Sequence, residues 1–139
     1  MEPLISIIDD DESVRAALRR ILLAHGFAAT AFASAEQFLA SDQLHHAACL
    51  IVDVRMPGMS GLGLHQHLVA AGYRIPTILI TGCPIAADRD AALAAGVVSY
   101  LEKPFSEPAL LDDVALALDR SARLSGNTVR ENEAQTERY

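Results

Sequence analysis

Cysteine is scarce: Cys49 and Cys83 are the only two in 139 residues, both in or beside apolar runs, and no CxxC pair exists. That argues against a disulfide framework or a structural zinc site and fits a reducing compartment. Long hydrophobic runs are missing as well; nothing approaches the roughly 20 apolar residues that a membrane span needs. The N-terminal MEPLISII has no basic stretch, and its apolar run stops at Asp9, too short for a signal peptide. The expectation is a cytoplasmic chain without membrane contact. Basic charge is also short, with 11 Lys+Arg against 18 Asp+Glu and a net charge of −7, so nucleic acid is a poor partner for the surface as a whole. Among the basic residues there is a single lysine, Lys103.

What is present is an ordinary globular balance, 51% hydrophobic and 21% charged, in a length that suits one domain. Alanine supplies 24 residues, concentrated in segments such as 86–95 and 109–117, which favours helices. Short apolar runs alternate with helical patterns along the chain. LISII at 4–8 predicts a buried strand that ends abruptly in acids, and residues 12–25 carry apolar positions at helical spacing until Gly26. Residues 27–32 alternate weakly, as an edge strand does, and Ser34 suits the N-cap of a short helix through Ala40. ACLIV at 48–52 is a second buried strand ending at Asp53, followed by turn chemistry in MPGMSGLG and a helix. PTILI at 76–80 closes on Thr81-Gly82, an Ala-rich helix at 85–95 is stopped by Gly96, and VVSYL at 97–101 leads into Lys103-Pro104-Phe105. A last helix is expected from about Glu107 to about Arg123, then a polar linker or tail over 124–139.

Five βα units with fully apolar strands predict an α/β fold: a single flavodoxin-like, doubly wound, five-stranded parallel sheet in the order 2-1-3-4-5, with five helices. In such a sheet ligands bind beyond the carboxyl ends of the strands. There the sequence places Asp9, Asp10 and Asp11, then Asp53, Thr81 and Lys103. Converging carboxylates repel one another unless a cation shares the site, and hard oxygen donors suit Mg²⁺. A divalent ion, an ammonium and a hydroxyl around one carboxylate are equipment for holding a phosphoryl group, with the carboxylate as nucleophile. Each piece alone has a plainer explanation. Acids after a strand cap the next helix, as Asp11 or Glu12 can, and a lone Asp or a Thr-Gly pair is common turn chemistry. Lys103 stands apart, because a compact point charge at a strand end suits an anion better than surface solvation does.

The segments IIDDDESVR, VDVRMPGMSG, ILITG and YLEKPF resemble the four signature segments of receiver domains of two-component response regulators. The resemblance runs over about residues 3–122 and is strongest to FixJ/NarL-type transcriptional regulators. It implies that Asp53 accepts the phosphoryl group from a sensor histidine kinase. It further implies that Asp10 binds Mg²⁺ directly, Asp9 through water, and the Arg55 carbonyl as a third protein ligand. Thr81 and Lys103 would hold the phosphoryl group, Tyr100 would be the switch aromatic, and Lys103-Pro104 would be cis. On this reading Thr81 moves, the Tyr100 ring turns inward, and the surface near Asp88, Arg89 and Ala92 changes, favouring a homodimer or releasing an output domain. Two departures stand out: Cys83-Pro84-Ile85 replaces a glycine-bearing loop after ITG, and no helix-turn-helix follows residue 123. The expectation is therefore a receiver domain over 1–123, either a fragment lacking its C-terminal DNA-binding output domain or a stand-alone receiver acting by protein contact, with no direct DNA binding by this chain. A small Mg²⁺-dependent phosphohydrolase is the enzyme alternative. It is weakened because Arg55 stands where a second acid belongs. A pure interaction module would not need the acidic set. His65 and His67, two apart on a helix, make a poor chelate.

Overall fold

The computed structural model describes the backbone of residues 3–137 and the side chains of residues 3–124. Its elements are β1 Leu4–Ile8, α1 Glu12–Ala24, β2 Ala28–Phe32, α2 Ala35–Leu39, a 3₁₀ turn at Asp42–His45, β3 Ala47–Asp53, α3 Gly61–Ala70, β4 Thr77–Thr81, α4 Ala86–Ala94, β5 Ser99–Glu102 and α5 Glu107–Glu137. The five strands form one parallel sheet in the order β2-β1-β3-β4-β5. The chain thus has the expected doubly wound fold, with β2 and β5 as the edge strands.

Side chains alternate across a strand, so each buried strand feeds two cores. Ile5, Ile7, Cys49, Ile51, Ile78 and Ile80 point toward α1 and α5, where Leu18, Leu22, Leu110 and Val114 cover them. Ile8, Leu50, Val52 and Leu79 point the other way, into a core shared with Phe38, Leu64, Leu68 and Ala92 from α2, α3 and α4. Burial on both faces is why the strands read as continuous apolar runs. Local chemistry sets the helix starts. Asp11 caps α1 by accepting from the N–H groups of Ser13 and Val14, Ser34 caps α2 and Ser60 caps α3.

One expectation needs correction. The last helix does not stop near Arg123 but runs on to Glu137; a polar segment without proline can continue a helix whose packed part is already formed. The Ser41 side chain caps the 3₁₀ turn by accepting from the Gln43 N–H. No helix among the described residues is long and apolar enough to cross a membrane.

Candidate functional site

The register of the sheet assembles the acids. Ile8 pairs with Val52, so Asp9 leaves β1 beside Asp53 at the end of β3. Asp9, Asp10 and Asp53 each offer a carboxylate oxygen within 4.8 Å of the others. Asp9 is fully buried, Asp53 is buried, and Asp10 is exposed. The cis Lys103-Pro104 bond follows β5. Lys103 Nζ lies 3.2 Å from Asp9 Oδ2 and 3.9 Å from Asp53 Oδ2.

Burial pushes the Asp53 carboxyl above its ordinary pKa; the Asp9 charge pushes it the same way, as Asp10 does more weakly, while Lys103 and the Arg55 N–H pull it back. One ammonium thus leaves the pocket with surplus negative charge. The Asp9 oxygens are already engaged, Oδ1 by the Asp11 N–H at 2.9 Å and Oδ2 by Lys103. Arg55 lies in the loop after β3. Its N–H donates to Asp53 Oδ1 at 3.4 Å, and its exposed guanidinium points away, 3.3 Å from Asp88 on α4.

Thr81 ends β4 on the opposite side of the sheet. Its hydroxyl accepts from the Cys83 N–H at 3.1 Å and its carbonyl accepts from the Lys103 N–H at 2.7 Å. Tyr100 already lies inward, only 6% exposed, in the same buried cluster as Ala92 and Val97. Its hydroxyl has no partner among the described residues. Burying the ring area outweighs that unpaired hydroxyl. The structure therefore brings Asp9, Asp10, Asp53 and Lys103 together and places Thr81 and Tyr100 on the far face.

Sequence reasoning did not single out three residues that shape the pocket. Arg15 on α1 donates to the Asp9 carbonyl at 2.7 Å, tying the helix to the acid triplet. Gly61 opens α3 so close to the phosphoacceptor candidate that a Cβ there would lie 2.5 Å from the Asp53 carbonyl oxygen. Glu36 on α2 accepts the Met59 N–H. The sequence signals were Arg15 within DESVR and Gly61 within MPGMSG; Glu36 had none. His65 is buried, with Nε2 3.0 Å from the Ala95 carbonyl, and belongs to no group of three metal-ligating side chains among the described residues.

A doubly wound sheet with an acid cluster and a lysine at its carboxyl edge defines a class of phosphoryl-handling domain. Residues 5–115 match the family described as response regulator receiver domain, and the chain belongs to that family. It is 39% identical over 121 residues to the transcriptional regulatory protein FixJ of Azorhizobium caulinodans, covering 85% of this chain and 56% of that protein. To the response regulator protein TodT of Pseudomonas putida it is 38% identical over 133 residues, covering 94% of this chain and 57% of TodT. The chain spans about half the length of these curated relatives. Among solved structures, the response regulator StyR superposes with a TM-score of 0.83 at 37% identity over 99% of this chain and 69% of StyR. The FixJ-N crystal structure gives 0.78 at 35% over 86% of this chain and 95% of that one. The chain is thus a receiver domain of a two-component response regulator. Such domains serve as phosphoacceptors and bind Mg²⁺ at an acidic pocket.

Proposed function

We propose that Asp53 is the phosphoacceptor of this chain, taking a phosphoryl group from a sensor histidine kinase. The observation that carries this reading is the contact of one lysine with two of three clustered carboxylates: Lys103 bridges Asp9 and Asp53, with Asp10 open to solvent beside them. Asp53 supplies the attacking oxygen. Lys103 neutralises charge where the phosphoryl oxygens would lie, and Arg15 and the Asp11 N–H hold Asp9 in place.

The donor set fits Mg²⁺: hard oxygens, surplus negative charge and one exposed carboxylate. Asp10 is the direct ligand in this reading because the Asp9 oxygens are engaged elsewhere; Asp9 acts through water, and Asp53 and the Arg55 carbonyl complete the protein's share. When bound, Mg²⁺ supplies charge neutralisation for an incoming anionic phosphoryl group. Thr81 would exchange its bond from Cys83 for one to a phosphoryl oxygen, and Tyr100, which shares a buried cluster with Ala92 of α4, would pass the change to the α4 surface near Asp88 and Arg89. Residues 1–123 form the receiver and 124–139 lead toward a transcriptional output domain. That last reading rests on the naming of FixJ as a transcriptional regulator and on a TodT alignment that reaches into this segment.

Intact mass after acetyl phosphate, with and without Mg²⁺, tests the proposal on the whole chain and on Asp53→Asn. One phosphoryl group should appear on the wild type only with the divalent ion, and none on the variant. Equal labelling in excess chelator, or of Asp53→Asn, would sink it. Repeated turnover of external phosphomonoesters would instead favour a phosphohydrolase.

A further inference from the structure

The loop between β3 and α3 carries the Arg55 carbonyl, and its two ends are held differently. Near β3, the Val54 N–H donates to the Ile80 carbonyl at 2.9 Å, the Gly61 N–H donates to the Val54 carbonyl at 3.1 Å, and Met56 is buried. The outer turn has no such support, since Pro57 and Gly58 are exposed. Among the described residues, one hydrogen bond ties residues 56–59 to another element, from the Met59 N–H to Glu36 Oε1 at 2.9 Å. The turn also wraps closely against that carboxylate. Gly58 has φ +79°, and a Cβ there would lie 2.8 Å from the same oxygen. The Met59 N–H first, and then the backbone N–H of Glu36 itself, hold the Glu36 carboxyl below its ordinary pKa.

We infer that Glu36 is a positioning residue for Mg²⁺ binding: from α2 it fixes the outer turn of the β3–α3 loop and so the direction of the Arg55 carbonyl. This rests on the reading of the acid cluster as a Mg²⁺ site. Glu36 touches none of the proposed ligands and acts only through the backbone of Gly58 and Met59. An oxygen at that position should therefore matter more than a charge.

Calorimetric titration with Mg²⁺ alone, together with thermal melting, tests this on the full chain as wild type, Glu36→Ala, Glu36→Gln and Gly58→Ala. Glu36→Ala should weaken Mg²⁺ binding about fivefold, short of the roughly tenfold or more seen for direct partners of metal ligands. Glu36→Gln should recover most of that loss, because its amide oxygen can still accept the Met59 N–H. Gly58→Ala, which leaves Glu36 in place but drives a methyl group against it, should weaken binding in the same direction. A purely structural staple would lower the melting temperature and leave Mg²⁺ affinity within twofold of wild type in Glu36→Ala and Gly58→Ala, and that result overturns the inference. Equal losses in Glu36→Gln and Glu36→Ala also overturn it, by assigning the effect to charge. A wild-type chain that binds no Mg²⁺ brings down the underlying reading and this inference together, whereas normal wild-type binding with unaffected variants removes only Glu36.

Discussion

At the carboxyl edge of the sheet, alternate residues of the same strands meet opposite surroundings. On the side of α1 and α5, the alternation that buries Ile7, Ile51 and Leu101 continues into Asp9, Asp53 and Lys103, which form a charged pocket. On the side of α2 to α4, the alternation that buries Leu79 continues into Thr81, and Tyr100 sits in the same apolar cluster as Leu79. One side holds unlike charges 3.2 Å apart, the other a hydroxyl without a partner among the described residues. A period of two thus separates the groups that would do chemistry from those that would pass its result to α4. The two sets stay coupled because Lys103 and Thr81 share a backbone hydrogen bond of 2.7 Å across β4 and β5.

Substitutions that act on one side only sharpen this contrast. The largest effect is expected on the charged side. Lys103→Arg keeps the charge, but its wide planar guanidinium does not fit where a compact ammonium reaches two carboxylates. Labelling of Asp53 by acetyl phosphate should slow by at least about tenfold. A near-normal rate by intact mass would mean that Lys103 is no close contact of the phosphoryl group.

Gly61→Ala presses on the charged side from behind. The added methyl would stand 2.5 Å from the Asp53 carbonyl oxygen and 3.1 Å from Leu79 Cδ2, so β3 or α3 must shift. Overpacking of this kind costs about 1–3 kcal/mol and should lower the melting temperature by about 5 °C. Labelling should slow at the same time, because the displaced backbone carries Asp53. An unchanged melt would show that the helix start moves freely.

A smaller effect follows from the raised pKa of Asp53. Between its ordinary value of 3.8 and the raised folded value, the folded chain holds a proton that the unfolded chain has lost. The proton is therefore a source of stability at low pH, and that stability is lost as pH rises through the folded pKa. Without divalent ions, the melting temperature of Asp53→Asn relative to wild type should rise over this interval and then level off. A difference that shrinks with rising pH would reverse the sign of the electrostatic argument.

The smallest effect belongs to the far side. Tyr100→Phe removes a buried hydroxyl that has no partner among the described residues, so stability should stay the same or rise by at most about 1 kcal/mol, with labelling unchanged. A clear drop in the melting temperature would show that the hydroxyl has a partner after all, a bound water included.

Much of this architecture was legible from residue order. Apolar runs that stop at acids marked β1 and β3 to within a residue, and Ser34 marked its helix start because its side chain satisfies free N–H groups locally. The weak alternation of residues 27–32 was enough for β2, since an edge strand needs only one covered flank. The end of α5 was not legible, because the polar segment holds helix-weakening residues such as Gly126 that read as a linker, yet no proline that would stop the helix.

The sequence by itself determined which residues stand at strand ends, because that follows from local periodicity and chain direction; it grouped Thr81 with the acids, which the structure does not. Only the tertiary structure decided that Lys103 reaches Asp9 more closely than Asp53, that Tyr100 lies inward, and that Glu36 and Gly61 grip the loop and strand around Asp53. Those contacts join residues from 8 to 94 positions apart in the chain. Their distances depend on how helices settle on the sheet, which no local pattern encodes.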